Sequence, residues 1–86
     1  MSLTDLQTQA LVLLPYLVDV VNNDDEDSKR KIQCEQSLNF ASYYRENVFT
    51  RPEKSTEKDI KTFINLVAFV RNSYELPFLG KLEHIN

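Results

Sequence analysis

The chain has 86 residues, 42% of them hydrophobic and 27% charged, with a net charge of −3 at neutral pH. This balance belongs to globular rather than disordered chains. A domain of this size buries only about 60 to 65% of its unfolded surface, so residues 1–86 are read as a single domain with one core. Gly80 is the one glycine, which disfavours the tight turns of a β-rich fold and leaves an all-α architecture as the expectation.

Three segments of helical periodicity follow one another, giving an expected three-helix bundle. The first opens on Thr4-Asp5-Leu6-Gln7, a capping-box pattern, and runs to about Val21. Leu3, Leu6, Ala10, Leu13, Leu17 and Val20 form one apolar row, with Leu11, Leu14, Val18 and Val21 beside it. At 100° per residue the two rows cover about half the circumference, so this helix should touch both others. Pro15 lies inside the pattern and removes a hydrogen bond, which predicts a kink near Val12 to Leu14 or a division into two short helices. A strand over Tyr16 to Val21 is permitted by its valines, but no partner strand is evident.

The acidic stretch Asn22 to Asp27 connects to a second helix and also offers its start, since Asn23 is followed by Glu26 three residues later. The expected core stripe is Cys34, Leu38, Ala41, Tyr44 and Val48. Pro52 then discourages helix at Arg51. Thr56 and Asp59 cap a third helix whose inner face is Ile60, Phe63, Ile64, Val67, Val70 and Tyr74, ending before Pro77. Phe78, Leu82 and Ile85 fall at i, i+4 and i+7, which predicts a short C-terminal strap or extra helical turn across an open end of the bundle.

The charge is unevenly placed. Residues 1–27 carry six acids and no Lys or Arg, whereas all ten basic residues lie beyond them against seven acids. In helical proteins such separation biases how neighbouring helices pair, and it also steers partners. The longest apolar stretch, Ala10 to Val18, contains Pro15 and stops at Asp19, far short of the roughly 20 residues that span a bilayer. No basic residue precedes it, as a signal peptide requires. With Cys34 alone there is no intramolecular disulfide, and a reducing cytoplasm without membrane association is the expected setting.

Chemistry finds few candidates. His84 stands near the C-terminus, and Cys34 falls on the core stripe, where a free thiol acts as a small hydrophobe. Neither a zinc set nor a glycine-rich phosphate loop can be assembled. Asn23, Asp25 and Asp27 alternate like the start of a calcium loop, but Ser28 replaces the glycine of the sixth position and Cys34 the glutamate of the twelfth. The chain is therefore expected to be non-enzymatic, with no cofactor and no metal.

Apolar residues away from the core stripes point elsewhere. Val12 and Tyr16 sit on the polar arc of the first helix, while Ile32, Phe40 and Tyr43 lie opposite the stripe of the second. Phe69 is offset from the inner face of the third. Either the C-terminal strap and the other helices cover these residues, or they form a protein interface, where aromatic anchors are enriched. The expected function is a small regulator, inhibitor or subunit that binds another protein or itself as a homodimer, through Ile32, Phe40, Tyr43, Val12 and Tyr16. The alternative is a nucleic-acid-binding regulator using Lys29, Arg30 and Lys31 with Arg45, Arg51, Lys54, Lys58 and Lys61. Interspersed acids dilute that basic field.

Overall fold

A computed structural model describes residues 2–26 and 28–75. The expected strap at Phe78, Leu82 and Ile85, and His84 beside it, lie outside the described residues. The helices are α1 (Leu3–Asn22), α2 (Lys29–Tyr43) and α3 (Glu57–Ser73). A π turn at Tyr44–Val48 extends α2, and a 3₁₀ turn at Pro52–Lys54 precedes α3. Every described helix packs against the other two, so the chain forms the three-helix bundle that its periodicity predicts.

α1 runs unbroken through Pro15, in place of two short helices or a strand over Tyr16 to Val21. Pro15 faces solvent, where water can reach the carbonyl that the ring deprives of its N–H partner. The helix starts two residues earlier than the Thr4 reading. Ser2 is the cap, its hydroxyl accepting from the Asp5 N–H at 3.1 Å, while the Thr8 hydroxyl donates to the Thr4 carbonyl within the helix. The expected double row is present except at its end: Ala10, Leu13, Leu14, Leu17 and Val21 are buried, Leu3, Leu6, Leu11 and Val18 pack at their edge, and Val20 is half-buried outside that cluster.

α2 begins later than the acidic stretch suggested. Ser28, and not Asn23, accepts from the backbone N–H of Lys31 at 3.2 Å. Cys34, Leu38 and Ala41 are buried as expected, but beyond Tyr44 the stripe departs from α-helical spacing. The Phe49 N–H donates to the Tyr44 carbonyl at 2.9 Å, an i to i+5 bond that inserts one extra residue into the turn. Phe49 rather than Val48 therefore joins the edge of the core, its ring edge-on to buried Phe63 at 5.0 Å between centroids.

α3 starts as its sequence dictates. Thr56 Oγ1 accepts from the Asp59 N–H at 3.2 Å and Asp59 Oδ2 accepts from the Thr56 N–H at 3.0 Å, a complete capping box. Phe63, Ile64, Val67, Ala68 and Val70 fill the centre of the bundle. The helix stops at Ser73, before Pro77 can act. Glu75 takes a positive φ of 50°, the left-handed turn that commonly closes a helix and redirects the chain.

Candidate functional site

Two features stand out once the core is filled: an apolar face between α2 and α3, and a polar clasp that ties the α1–α2 connector to the end of α3. The face follows from the register of α2. Cys34, Leu38 and Ala41 point inward, so the residues about 180° away must face solvent or another molecule. Phe40 is 62% exposed and Tyr43 57%. Phe69, on α3, is also exposed.

Phe40 stands as a ridge between two shallow grooves. One groove runs along α2 and α3 between Gln33, Gln36, Ser37 and Phe40 on one wall and Thr62, Asn65, Leu66 and Phe69 on the other. The second continues past Phe40 along Tyr43, Tyr44 and Val48 towards Asp59. Asp59 is the sole charged residue in either lining, although charged residues make up 27% of the chain. An apolar centre with an uncharged polar rim is the composition of the buried part of a protein interface.

An aromatic chain links this face to the core. Buried Phe63 meets Phe49, Phe49 meets Tyr44 with centroids 6.1 Å apart, and Tyr44 meets exposed Tyr43 edge-on at 6.1 Å. Tyr43 is therefore braced from behind, which lowers the entropy lost when a partner immobilises it.

The other sequence-derived candidates fall apart from this site. Ile32, Val12 and Tyr16 are all exposed, Val12 most of all at 74%, but none of them lines either groove. Helix periodicity finds Phe40 and Tyr43 and flags Phe69. It also places Gln36 on that side, but misses Leu66 and the rim residues Gln33, Thr62 and Asn65, because these become a site only through the rotation of α3 against α2.

The clasp centres on Asp24, whose side chain is 9% exposed. Its Oδ1 accepts from the Glu26 N–H at 3.0 Å, while Oδ2 accepts from the Tyr74 hydroxyl at 2.7 Å and from the Arg30 guanidinium at 3.4 Å. Arg30 also lies over the Tyr74 ring, 4.6 Å from its centroid, and Lys31 Nζ donates to the Asp24 carbonyl at 2.6 Å. The Tyr74 bond, then the Glu26 N–H and the Arg30 charge, hold the Asp24 carboxyl below its ordinary value. Burial, reinforced by the Asp24 charge, pushes the Tyr74 phenol up to about 12. Cys34 lies fully buried, and burial raises its thiol, so it carries little of the reactive thiolate at neutral pH.

Basic residues are substantially engaged. Beyond Arg30 and Lys31, Arg45 pairs with Glu46 at 3.5 Å and Lys61 with Glu57 at 3.1 Å. Among the described residues no group of three or more His, Cys, Asp or Glu is placed to hold a metal ion, and no helix is long and apolar enough to cross a membrane. Comparison with protein families, with curated proteins and with solved structures finds no match to this chain.

Proposed function

We propose that this chain is a non-catalytic protein-binding module, acting as a small regulator, inhibitor or subunit through the face between α2 and α3. The observation that carries the reading is Phe40: a large aromatic side chain, 62% exposed, standing between two grooves whose linings hold one charge between them. Leaving such a ring in water forfeits the roughly 1.5 to 3 kcal/mol that its burial would return. Tyr43, braced by Tyr44, supplies a second aromatic anchor of the kind that dominates binding energy at interfaces.

This reading is preferred over a nucleic-acid regulator because four of the basic residues that such a role would use, Arg30, Lys31, Arg45 and Lys61, are bonded to acidic side chains or to the Asp24 carbonyl. Carboxylates beside Arg30, Arg45 and Lys61 weaken the local positive field, and phosphate binding depends on an unbalanced one. A titration against mixed DNA and RNA at low and moderate salt separates the two, with no salt-sensitive binding expected.

The test of the face itself is the double substitution Phe40→Ser with Tyr43→Ser. Both side chains are exposed, so helix content and melting temperature should change little. Recovery of co-purifying proteins from the native host, or self-association, should fall at least tenfold. Unchanged recovery together with unchanged oligomeric state would remove the face from the account.

A further inference from the structure

We infer that the clasp around Asp24 is a latch: when its bonds break, the start of α2 parts from the end of α3 in a local opening that uncovers Cys34 while the rest of the bundle stays folded. The inference is independent of the α2–α3 face. It rests on how little else holds this corner of the molecule. Between Val21 on α1 and Cys34 on α2, no described residue joins the hydrophobic core or packs against it. Ile32, the large apolar side chain of the first turn of α2, is exposed.

Polar contacts replace apolar ones there. The Tyr74 hydroxyl donates to Asp24 Oδ2 at 2.7 Å, and the Arg30 guanidinium reaches the same oxygen at 3.4 Å while lying over the Tyr74 ring. Lys31 Nζ adds its bond to the Asp24 carbonyl. The end of α1, the start of α2 and the end of α3 thus meet at one residue. Segments that open locally are those with few buried apolar contacts to break, and the start of α2 has this character.

Cys34 is the first core residue that such an opening reaches. It lies one helical turn beyond Arg30 and is fully buried. Its thiol bonds with Ser73, the neighbour of Tyr74, and feels the charges of Arg30 and Asp24. Leu38 and Ala41, further along α2, keep the rest of that helix in the core. The closed state hides the thiol and commits Arg30 and Lys31 to Asp24. The open state presents the thiol and frees both basic side chains.

Thiol labelling of the full chain tests the inference, with Cys34 as the reporter. The probe is a soluble aromatic disulfide, which the uncovered Cys34 thiolate attacks to form a mixed disulfide and release a coloured aromatic thiolate. Tyr74→Phe removes the hydroxyl of the latch, and Asp24→Ala breaks the same bond from its other side. Phe49→Leu is the control, since it weakens the packing on Phe63, about three helical turns from Tyr74 along α3. Under folding conditions, labelling is expected to be about tenfold faster or more in Tyr74→Phe, as for loss of a hydrogen bond to a charged group. Asp24→Ala should speed it at least as much. Phe49→Leu should lower the melting temperature and leave the labelling rate at the wild-type value, because that packing survives the local opening. Labelling that quickens in all three variants in proportion to their loss of global stability would overturn the latch, and so would wild-type rates in both Tyr74→Phe and Asp24→Ala.

Discussion

At the scale of single residues, the clasp around Asp24 is the most strongly tuned part of the described chain. Its two ends respond to opposite extremes of pH. The Asp24 carboxyl titrates below its ordinary 3.8 because the Tyr74 hydroxyl, the Glu26 N–H and Arg30 favour the ionised form. Its contribution to stability is therefore complete above about pH 3.8 and is lost as the pH falls through the lowered value. Tyr74 is shifted the other way, to about 12 from an ordinary 10, so the contribution of its neutral phenol is complete below pH 10 and is lost between 10 and 12. Replacing Tyr74 with Phe should lower the melting temperature at neutral pH, and the gap between wild type and variant should close as the pH rises from 10 to 12. A gap of constant size across that interval would show that the hydroxyl is not bonded to Asp24. Nothing in the local sequence announces this contact, since its partners stand 50 residues apart. Asp24 reads as one more acid in a solvated connector, and Tyr74 as the last residue of an inner helical face.

Helix by helix, the three segments and their inner faces are legible in the sequence because apolar side chains recur with the helical period. Thr56 and Asp59 mark the start of α3 correctly, as both halves of the capping box are local. The starts of α1 and α2 are displaced for a related reason. Several Ser, Thr, Asn and Asp residues lie close together there, and each is a residue type that can cap a helix. Ser2 caps α1 and Ser28 caps α2, where the local patterns point to Thr4 and Asn23. The end of α2 conceals its extra residue because Val48 and Phe49 are both apolar, so a 3.6-residue period chooses the wrong one. The π turn also makes a prediction. Deleting Glu46, an exposed residue within the turn, should convert the i to i+5 spacing between Tyr44 and Phe49 into an α-helical one and keep Phe49 against Phe63. Deleting Gln36 from the middle of α2 should instead rotate Leu38 and Ala41 out of the core. Thermal unfolding is expected to rank wild type and the Glu46 deletion well above the Gln36 deletion; equal losses in the two deletions would show that the turn does not set the register.

For the whole molecule, the bundle satisfies its core with one side of each helix and leaves a second, aromatic side between α2 and α3 whose grooves carry one charged residue, Asp59. Half of the candidate site was accessible to sequence reasoning. Helical geometry alone puts Phe40 and Tyr43 opposite the Cys34–Leu38–Ala41 stripe, because that relation lies within one helix. The grooves that flank Phe40 depend on where α3 lies and how it is rotated, which no periodicity within a single segment encodes. The same limit explains why Val12, Tyr16 and Ile32, equally off-stripe in sequence, do not join the site. Unevenness of charge acts at this scale as well. Acids gather in the first 27 residues and the bases beyond them, and the contacts of Arg30 and Lys31 with Asp24 join the two regions across the connector. Part of the basic character that could suggest nucleic acid is thus engaged in holding the bundle together.

Photo-crosslinking in the native host tests the central claim most directly, using the full chain with a photoreactive phenylalanine analogue at position 40 and, separately, at position 12. A discrete protein adduct is expected from position 40, of twice the protomer mass if the partner is a second copy, and none of comparable yield from position 12. Adducts of equal yield from both positions, or from position 12 alone, would contradict a binding face between α2 and α3.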